Sequence, residues 1–251
     1  MPPISGHSVL IIGGSSGIGA AVAKLAAKQG AHVSIASSNA TRVTNAVTAI
    51  KASLPEANIK GFTIDLSTPD LETNLEALLT SATTQSKLDH IVLTAGRVSR
   101  RSLANVDREH LLEDMHLRLI VPTILAKLAP CFLKESYISS LTFCGGRPAV
   151  RPIKGWPTAS AAAAALDGLT RALALDLAPV RVNIVHPGAI ETELWGQTVE
   201  ERRVGLEPIA ASALLGKVGQ PEEVGEAFLY LMRDSNVTGA GVHSNGGSLV
   251  Q

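Results

Sequence analysis

The sequence predicts one doubly wound α/β domain of about seven parallel strands flanked by helices. Three observations predict it. Apolar, β-branched runs of strand length alternate along the whole chain with stretches of helical pattern, the order of a parallel sheet covered on both faces. The 251 residues, 45% of them hydrophobic, suffice for a single core of that size. No internal repeat or low-complexity linker divides them.

The first strand, Val9–Ile12, feeds Gly13-Gly14-Ser15-Ser16-Gly17-Ile18-Gly19 and then a small-residue helix through Leu25. An apolar strand, a glycine-rich turn and a helix N-terminus are the parts with which a Rossmann unit holds a pyrophosphate on backbone N–H groups. The spacing is G-x-x-x-G-x-G, and by itself it also describes an ordinary strand-to-helix turn. Gly30 closes the helix, and Ala31–Ala36 reads as the second strand. It ends in Ser37-Ser38-Asn39, with Arg42 shortly after. No acidic residue stands there to take a ribose 2′-hydroxyl, whereas small hydroxyl side chains and a cation suit a 2′-phosphate, so NADP(H) is expected rather than NAD. The alternative for Arg42 is a solvated helix position.

A helix over Val43–Ser53 leads to a third strand, Ile59–Asp65, where Asp65 either bonds an adenine amino group or caps the helix that follows Ser67-Thr-Pro69. Leu88–Leu93 is the fourth strand, closing in Thr94-Ala95-Gly96. The helix around Leu111–Leu133 carries Arg118 on an apolar stretch, where a charge needs either a partner, Glu113 or Asp114, or a water-lined cleft. Tyr137–Cys144 is the fifth strand, and a loop from Gly145 to Pro157 precedes a plain helix, Ala159–Ala178, with alanine at all of 161–165. So little bulk lets a ligand or another helix approach closely. Arg181–Val185 is the sixth strand and opens into His186-Pro187-Gly188, where His186 is expected to position backbone. The stretch Gln197–Lys217 is expected to form a mobile helical lid, spanning about 195–218 with its flanks, over a substrate. Pro221-Glu-Glu-Val224 starts the last helix, and Val237–His243 is the seventh strand.

Lysine plus arginine balance aspartate plus glutamate at 22 each, so no global field recruits nucleic acid or an anionic membrane. Two cysteines, Cys131 and Cys144, make no disulfide framework and no metal-spaced set, and Cys144 is expected as a buried structural thiol. No signal-like segment and no apolar run of the ~18 residues a bilayer needs is apparent, so a cytosolic protein without a metal is expected.

The Gly13/Gly17/Gly19 loop, Asp65-Leu66, Thr94-Ala95-Gly96, Arg181-Val-Asn183, Pro187-Gly188 and Gly246-Gly247 occur in this order over essentially the whole chain. In this the sequence resembles the short-chain dehydrogenase/reductase family. The resemblance implies NADP(H) bound by Gly13, Ser15, Ser16, Gly17, Ile18 and Gly19 of the loop and by Ser37, Ser38, Asn39 and Arg42 after the second strand. It further implies contacts from Asp65 and Leu66, from Ala95 and Gly96, and from Pro187 and Gly188, with Ile190 near the nicotinamide ring and Thr192 on its carboxamide. The family pairs subunits through the helix that is alanine-rich here, which implies a homodimer or homotetramer.

The family's catalysis uses an Asn-Ser-Tyr-Lys tetrad, and all four positions differ in this chain. Counting back without gaps from Leu166, the Tyr and Lys positions are Ala159 and Ala163; the Ser position is Gly145 and the Asn position Arg118. Tyr137 and Tyr230 lie elsewhere. The loop Arg151-Pro-Ile-Lys154-Gly-Trp156 resembles that of an atypical branch whose fungal members reduce the bicyclic diazaoctane core of prenylated indole alkaloids, or close it by intramolecular Diels–Alder reaction. Those members lack the tetrad and use an arginine at the position of Arg118 together with a loop aspartate. Arg118 matches, whereas the aspartate position is Ile153, followed by Lys154.

Carbonyl reduction needs a proton donor at the developing oxyanion. Hydride addition to an iminium carbon neutralises a cation and creates no oxyanion, so it needs a positioned nicotinamide and no tyrosine. The resemblance therefore implies a reductase of a bulky, largely apolar alkaloid-like small molecule. Arg118, Trp156 and Lys154 are its catalytic candidates, Lys154 as acid or as a solvated loop residue, with Trp156 and Trp195 as pocket walls. A cyclase holding NADP(H) as a floor of the pocket, and a catalytically silent scaffold, are the alternatives.

Overall fold

The computed structural model describes residues 2–96 and 101–250. Seven parallel strands form one sheet: β1 (Ser8–Ile12), β2 (His32–Ser37), β3 (Ile59–Thr63), β4 (His90–Leu93), β5 (Ser140–Cys144), β6 (Arg181–Pro187) and β7 (Gly241–Ser244). Their spatial order is β3-β2-β1-β4-β5-β6-β7, so the chain reverses its direction of travel between β1 and β4. Ligands of open α/β sheets bind at such a switch point, beyond the strand C-termini.

Because side chains alternate across a strand, each strand feeds two cores. On β1, Leu10 and Ile12 face α3 (Leu71–Ala82), α5 (Val121–Phe132) and α6 (Pro157–Asp176). Val9 and Ile11 face α1 (Gly17–Lys28), α2 (Ala40–Ser53) and α8 (Pro221–Arg233). Gly225 on α8 lets α1 close in, since a Cβ there would stand 2.7 Å from Leu25 Cδ1.

The strands are not apolar along their whole length as expected. Both outer strands face solvent, β3 through Lys60, Gly61 and Thr63 and β7 through Gly241 and His243. An edge strand has one neighbour and less cover. The fourth strand starts at His90, with Leu88 forming a separate bridge to Leu133. Tyr137 lies before the fifth strand, exposed, because its carbonyl and that of Ile138 accept hydrogen bonds from Arg181 instead of a ladder partner. The third strand stops two residues before Asp65, and the seventh starts at Gly241, since Val237 O is taken by Asn183 Nδ2 at 2.8 Å.

The helix expected over Leu111–Leu133 is three pieces: α4 (Arg108–Met115), a π-turn over His116–Ile120, and α5. Together Arg108–Phe132 reaches membrane-spanning length and hydropathy, contrary to the expectation that no run would. Its α5 part packs into the core, with Val121, Leu125 and Ala126 at 1% exposure or less, whereas Leu111, Leu112, Leu119 and Ile120 before it are exposed. The segment expected as a lid contains α7 (Val199–Ser212), started by a capping box between Thr198 and Glu201.

At the N-terminal end of β4, the opposite end of the strands from the cleft, His90 is fully buried, bonded to His7 at 3.0 Å and to Ser140 Oγ at 2.9 Å. Burial, then the neighbouring His7 and Arg181, holds its pKa down at about 3, against 6.5 unperturbed. The unfolded chain therefore binds one proton more than the native protein below pH 6.5. Stability from this group is complete above that pH and falls by about 1.4 kcal/mol per pH unit toward pH 3. Urea midpoints should drop between pH 7 and 5, and His90→Asn should flatten that slope; an unchanged slope would remove His90 as its cause.

Candidate active site

A cleft of about 1130 Å³ opens at the C-terminal ends of β1, β4, β5 and β6. At one end lies the glycine turn. Gly13 has φ +96° and Gly17 φ +50°, left-handed backbone that glycine adopts without strain. A Cβ at Gly13 would stand 2.4 Å from Ala95 N, and one at Gly19 2.2 Å from Gly13 O, so the cradle closes only on glycine. The Ser16 N-cap makes no side-chain capping bond and α1 has no acidic residue in its first turn. Its first amide N–H groups and the positive end of its dipole are thus left for an anion. Ser15, Ser16, Ile18 and the three glycines all line the cleft, a surface that fits a dinucleotide pyrophosphate.

Ser37, Ser38 and Arg42 line the next part. Asn39, the neighbour expected beside them, is not part of the lining; its Oδ1 accepts from Arg42 N at 2.9 Å as the N-cap of α2. Asp65 and Leu66 line the cleft. Asp65 caps no helix; it accepts from Ser67 N at 2.9 Å and Ser67 Oγ at 2.7 Å, and those bonds hold its carboxyl below the usual range. Asp70 stands at the N-cap of α3 instead. Ala95, Gly96, Pro187, Gly188, Ile190 and Thr192 complete this half, and NADP(H) is the cofactor expected of such a site.

The other half contains the four tetrad positions. Arg118, Gly145, Ala159 and Ala163 all line the cleft, around a space without hydroxyl or ammonium at those places. The π-turn carries Arg118; such turns add one residue to a helix and recur at functional sites. Arg118 Nη1 donates to Cys144 O at 2.8 Å, and Nη2 stands opposite Gly96. Neither Glu113 nor Asp114 forms an ion pair with it among the described residues. Burial lowers the Arg118 pKa, with Cys144 and Asp114 pulling it back up. Burial pushes the Cys144 thiol up to about 11, so it is a protonated thiol at neutral pH.

Trp156, Trp195, Ile153 and Leu194 line the cleft as apolar walls, joined by Ile209 of α7 and by Leu215. Lys154, expected as an acid or as a solvated loop residue, does not line it and is exposed; the turn at Gly155, with φ +83°, separates it from Trp156. Sequence reasoning missed Arg147, which also lines the cleft, and treated Asp114 only as a partner for Arg118.

His186 is 1% exposed, bonds Asp167 Oδ1 through Nε2 at 3.0 Å, stacks on His243, and lies 3.3 Å through Nδ1 from both N and O of Gly146. It occupies the space behind Gly145, where a Cβ would stand 2.7 Å from Nδ1 and 2.8 Å from Ile184 Cδ1. The family's serine is therefore sterically closed out. Gly145→Ser should cost about 1–3 kcal/mol by overpacking. Gly146→Ser, whose Cβ would meet only Pro148 Cδ at 3.4 Å, should be near neutral. Thermal melts of the two variants check this, and equal losses would refute it.

The fold, the glycine cradle and the sheet switch point define a Rossmann-type dehydrogenase domain. The chain belongs to the short-chain dehydrogenase/reductase family: residues 3–251 match the model of an SDR-like Rossmann domain. It is 48% identical over 253 residues to "Short-chain dehydrogenase/reductase ATR9" of Stachybotrys chlorohalonatus (strain IBT 40285), covering all of both chains. It is 37% identical over 257 residues to "Short-chain dehydrogenase/reductase malC" of Malbranchea aurantiaca, covering 99% of this chain and 96% of that one. The solved structure of the MalC reductase/Diels-Alderase from that organism superposes with a TM-score of 0.93 over 98% of this chain and 97% of that chain.

Proposed function

We propose that this protein is an NADP(H)-dependent reductase of fungal secondary metabolism that acts on an iminium-type electrophile in a bulky, largely apolar, alkaloid-like substrate. One observation carries the reading: the four tetrad positions are Arg118, Gly145, Ala159 and Ala163, and all face the same cleft as the glycine cradle. When bound, NADPH supplies a hydride to the electrophilic carbon, and the C=N π pair returns to nitrogen. No proton is required at that step, so the missing tyrosine and lysine are no obstacle.

The chain's own contribution is binding and exclusion. The Gly13–Gly19 turn holds the pyrophosphate, and Ser37, Ser38 and Arg42 hold a 2′-phosphate. Trp156 and Trp195 wall off an apolar substrate, and the alanines at 159 and 163 leave room for it. Arg118 offers donors to a carbonyl of the substrate and so fixes its orientation. The segment around α7 closes over it as a lid.

A second reading, intramolecular cyclisation over a bound nucleotide, is favoured by the 37% identity to a solved reductase/Diels-Alderase. Such a closure needs shape, desolvation and one polarising donor, which Arg118 supplies. We further assign the alanine-rich helix α6 to a homodimer or homotetramer interface, in a cytosolic protein without membrane or nucleic-acid partners; the exposed Leu175 near its end supports this.

The test is loss of the nicotinamide absorbance with protonated cyclic imines and with ketones of the same shape. Consumption of NADPH by the imines alone supports the reductase. Equal rates with ketones would overturn it, and substrate conversion with no NADPH loss would select cyclisation.

A further inference from the structure

One cleft-lining group has no part in the reading above. Asp114 of α4 stands four residues before Arg118, is 7% exposed, and lines the cleft. Its ion-pair partner is His110, charged only when protonated, whose Nε2 lies 3.2 Å from Oδ2 on a histidine only 4% exposed. That contact lacks hydrogen-bond geometry, and Asp114 Oδ2 accepts no hydrogen bond among the described residues. No other ion pair reaches the carboxylate among them, and Arg118 is turned away to Cys144 O.

A buried carboxylate so poorly served is costly, and native proteins retain such a group where something else completes it. This end of the cleft is lined by two guanidiniums, Arg118 and Arg147, and by two carboxylates, Glu113 and Asp114. Arg118 is half-buried there, and Arg147 stands beside Arg151, whose charge adds to burial in lowering the Arg147 pKa. A cationic substrate entering past two guanidiniums would be repelled unless an anion lay within reach. Glu113 also lines the cleft, but it already has an interaction of its own.

We infer that Asp114 is the anchor for a protonated nitrogen of the substrate, an iminium or ammonium N–H, which donates to its carboxylate while Arg118 takes a carbonyl acceptor one helical turn away. The two groups sit at i and i+4 across the π-turn, so a single rigid element presents an anion and a cation side by side. This sets polarity as well as affinity: the substrate's cationic nitrogen lies toward α4 and its acceptor toward β5. The inference rests on the cleft being the substrate site, and it is independent of whether hydride is transferred.

The test uses fluorescence of Trp156 and Trp195, the chain's two tryptophans, both of which line the cleft. The probes are protonated dihydroisoquinoline and the neutral hydrocarbon of the same shape, dihydronaphthalene. The wild-type protein should bind the cation about tenfold more tightly than the hydrocarbon. Asp114→Asn should erase that preference while leaving hydrocarbon and NADPH affinities unchanged. A wild-type protein that fails to prefer the cation overturns the inference, whatever the variant's stability. So does an Asp114→Asn protein, folded by circular dichroism, that keeps the preference. Preferential binding of the cation with no NADPH consumption would retain the Asp114 anchor and defeat the reductase reading alone.

Discussion

Gly19→Ala should abolish NADPH binding, with affinity lowered by at least about a hundredfold, close to 3 kcal/mol. The added Cβ would stand 2.2 Å from Gly13 O and 2.8 Å from Gly13 C. Both are backbone atoms of the turn itself, so relief requires moving the cradle rather than a side chain. The turn that moves is the one whose N–H groups and helix end would meet the pyrophosphate. Gly168→Ala is the matched control. It lies within α6, where a Cβ would meet only Arg171 Nη2 at 4.0 Å. Removing a helix-interior glycine should raise stability by about 0.5–1 kcal/mol and leave the nucleotide untouched. Calorimetric titration of both variants with NADPH and NADH decides the matter. Full NADPH affinity in Gly19→Ala would mean that the nucleotide, if bound at all, lies elsewhere.

Arg118→Ala should lower turnover by about a hundredfold, near 3 kcal/mol in activation free energy, with NADPH affinity within about twofold of wild type. The guanidinium does two things in the structure. Nη1 ties the α4–α5 unit to the end of β5 at Cys144 O, and Nη2 faces the cleft opposite Gly96. Arg118→Lys keeps the charge but cannot hold the carbonyl and present a second donor in the same plane, so it should recover only part of the loss. Steady-state constants for the imine substrate, beside calorimetry for the cofactor, separate the two effects. Unchanged kcat in Arg118→Ala would return Arg118 to a structural role.

The parts of this molecule that depend on short-range pattern were legible in the sequence. Val9–Ile12 followed by Gly13, Gly17 and Gly19 encodes strand, turn and helix within a dozen residues, and the structure draws them in that order. Tyr137 and Ile138 were misread because their β-propensity is real, yet the buried Arg181 claims their carbonyls from 43 or 44 residues away. Asn39 shows local chemistry that the sequence also carries: a side-chain oxygen three residues ahead of a free amide, used as the N-cap of α2. Lys154 illustrates a second limit. A loop sequence specifies that the chain turns but not which side chains face the cavity: of the loop's two candidates, Trp156 lines the cleft and Lys154, two residues before it, is exposed outside the lining. Asp114 was hidden by its spacing from Arg118, which reads equally as an intrahelical pair or as two groups presented to a ligand.

The π-turn at His116–Ile120 lets the helix hold one residue more than an α-helix of the same span while α4 and α5 keep their phase, because the wider turn takes up the extra residue. Loss of one residue there would let the helix run as a continuous α-helix with both flanks still in place. The change would fall on the turn itself, which carries Arg118, while Asp114 and the buried face of α5 would keep their surroundings. A one-residue deletion is thus a way to move the guanidinium without touching the rest of the cleft wall.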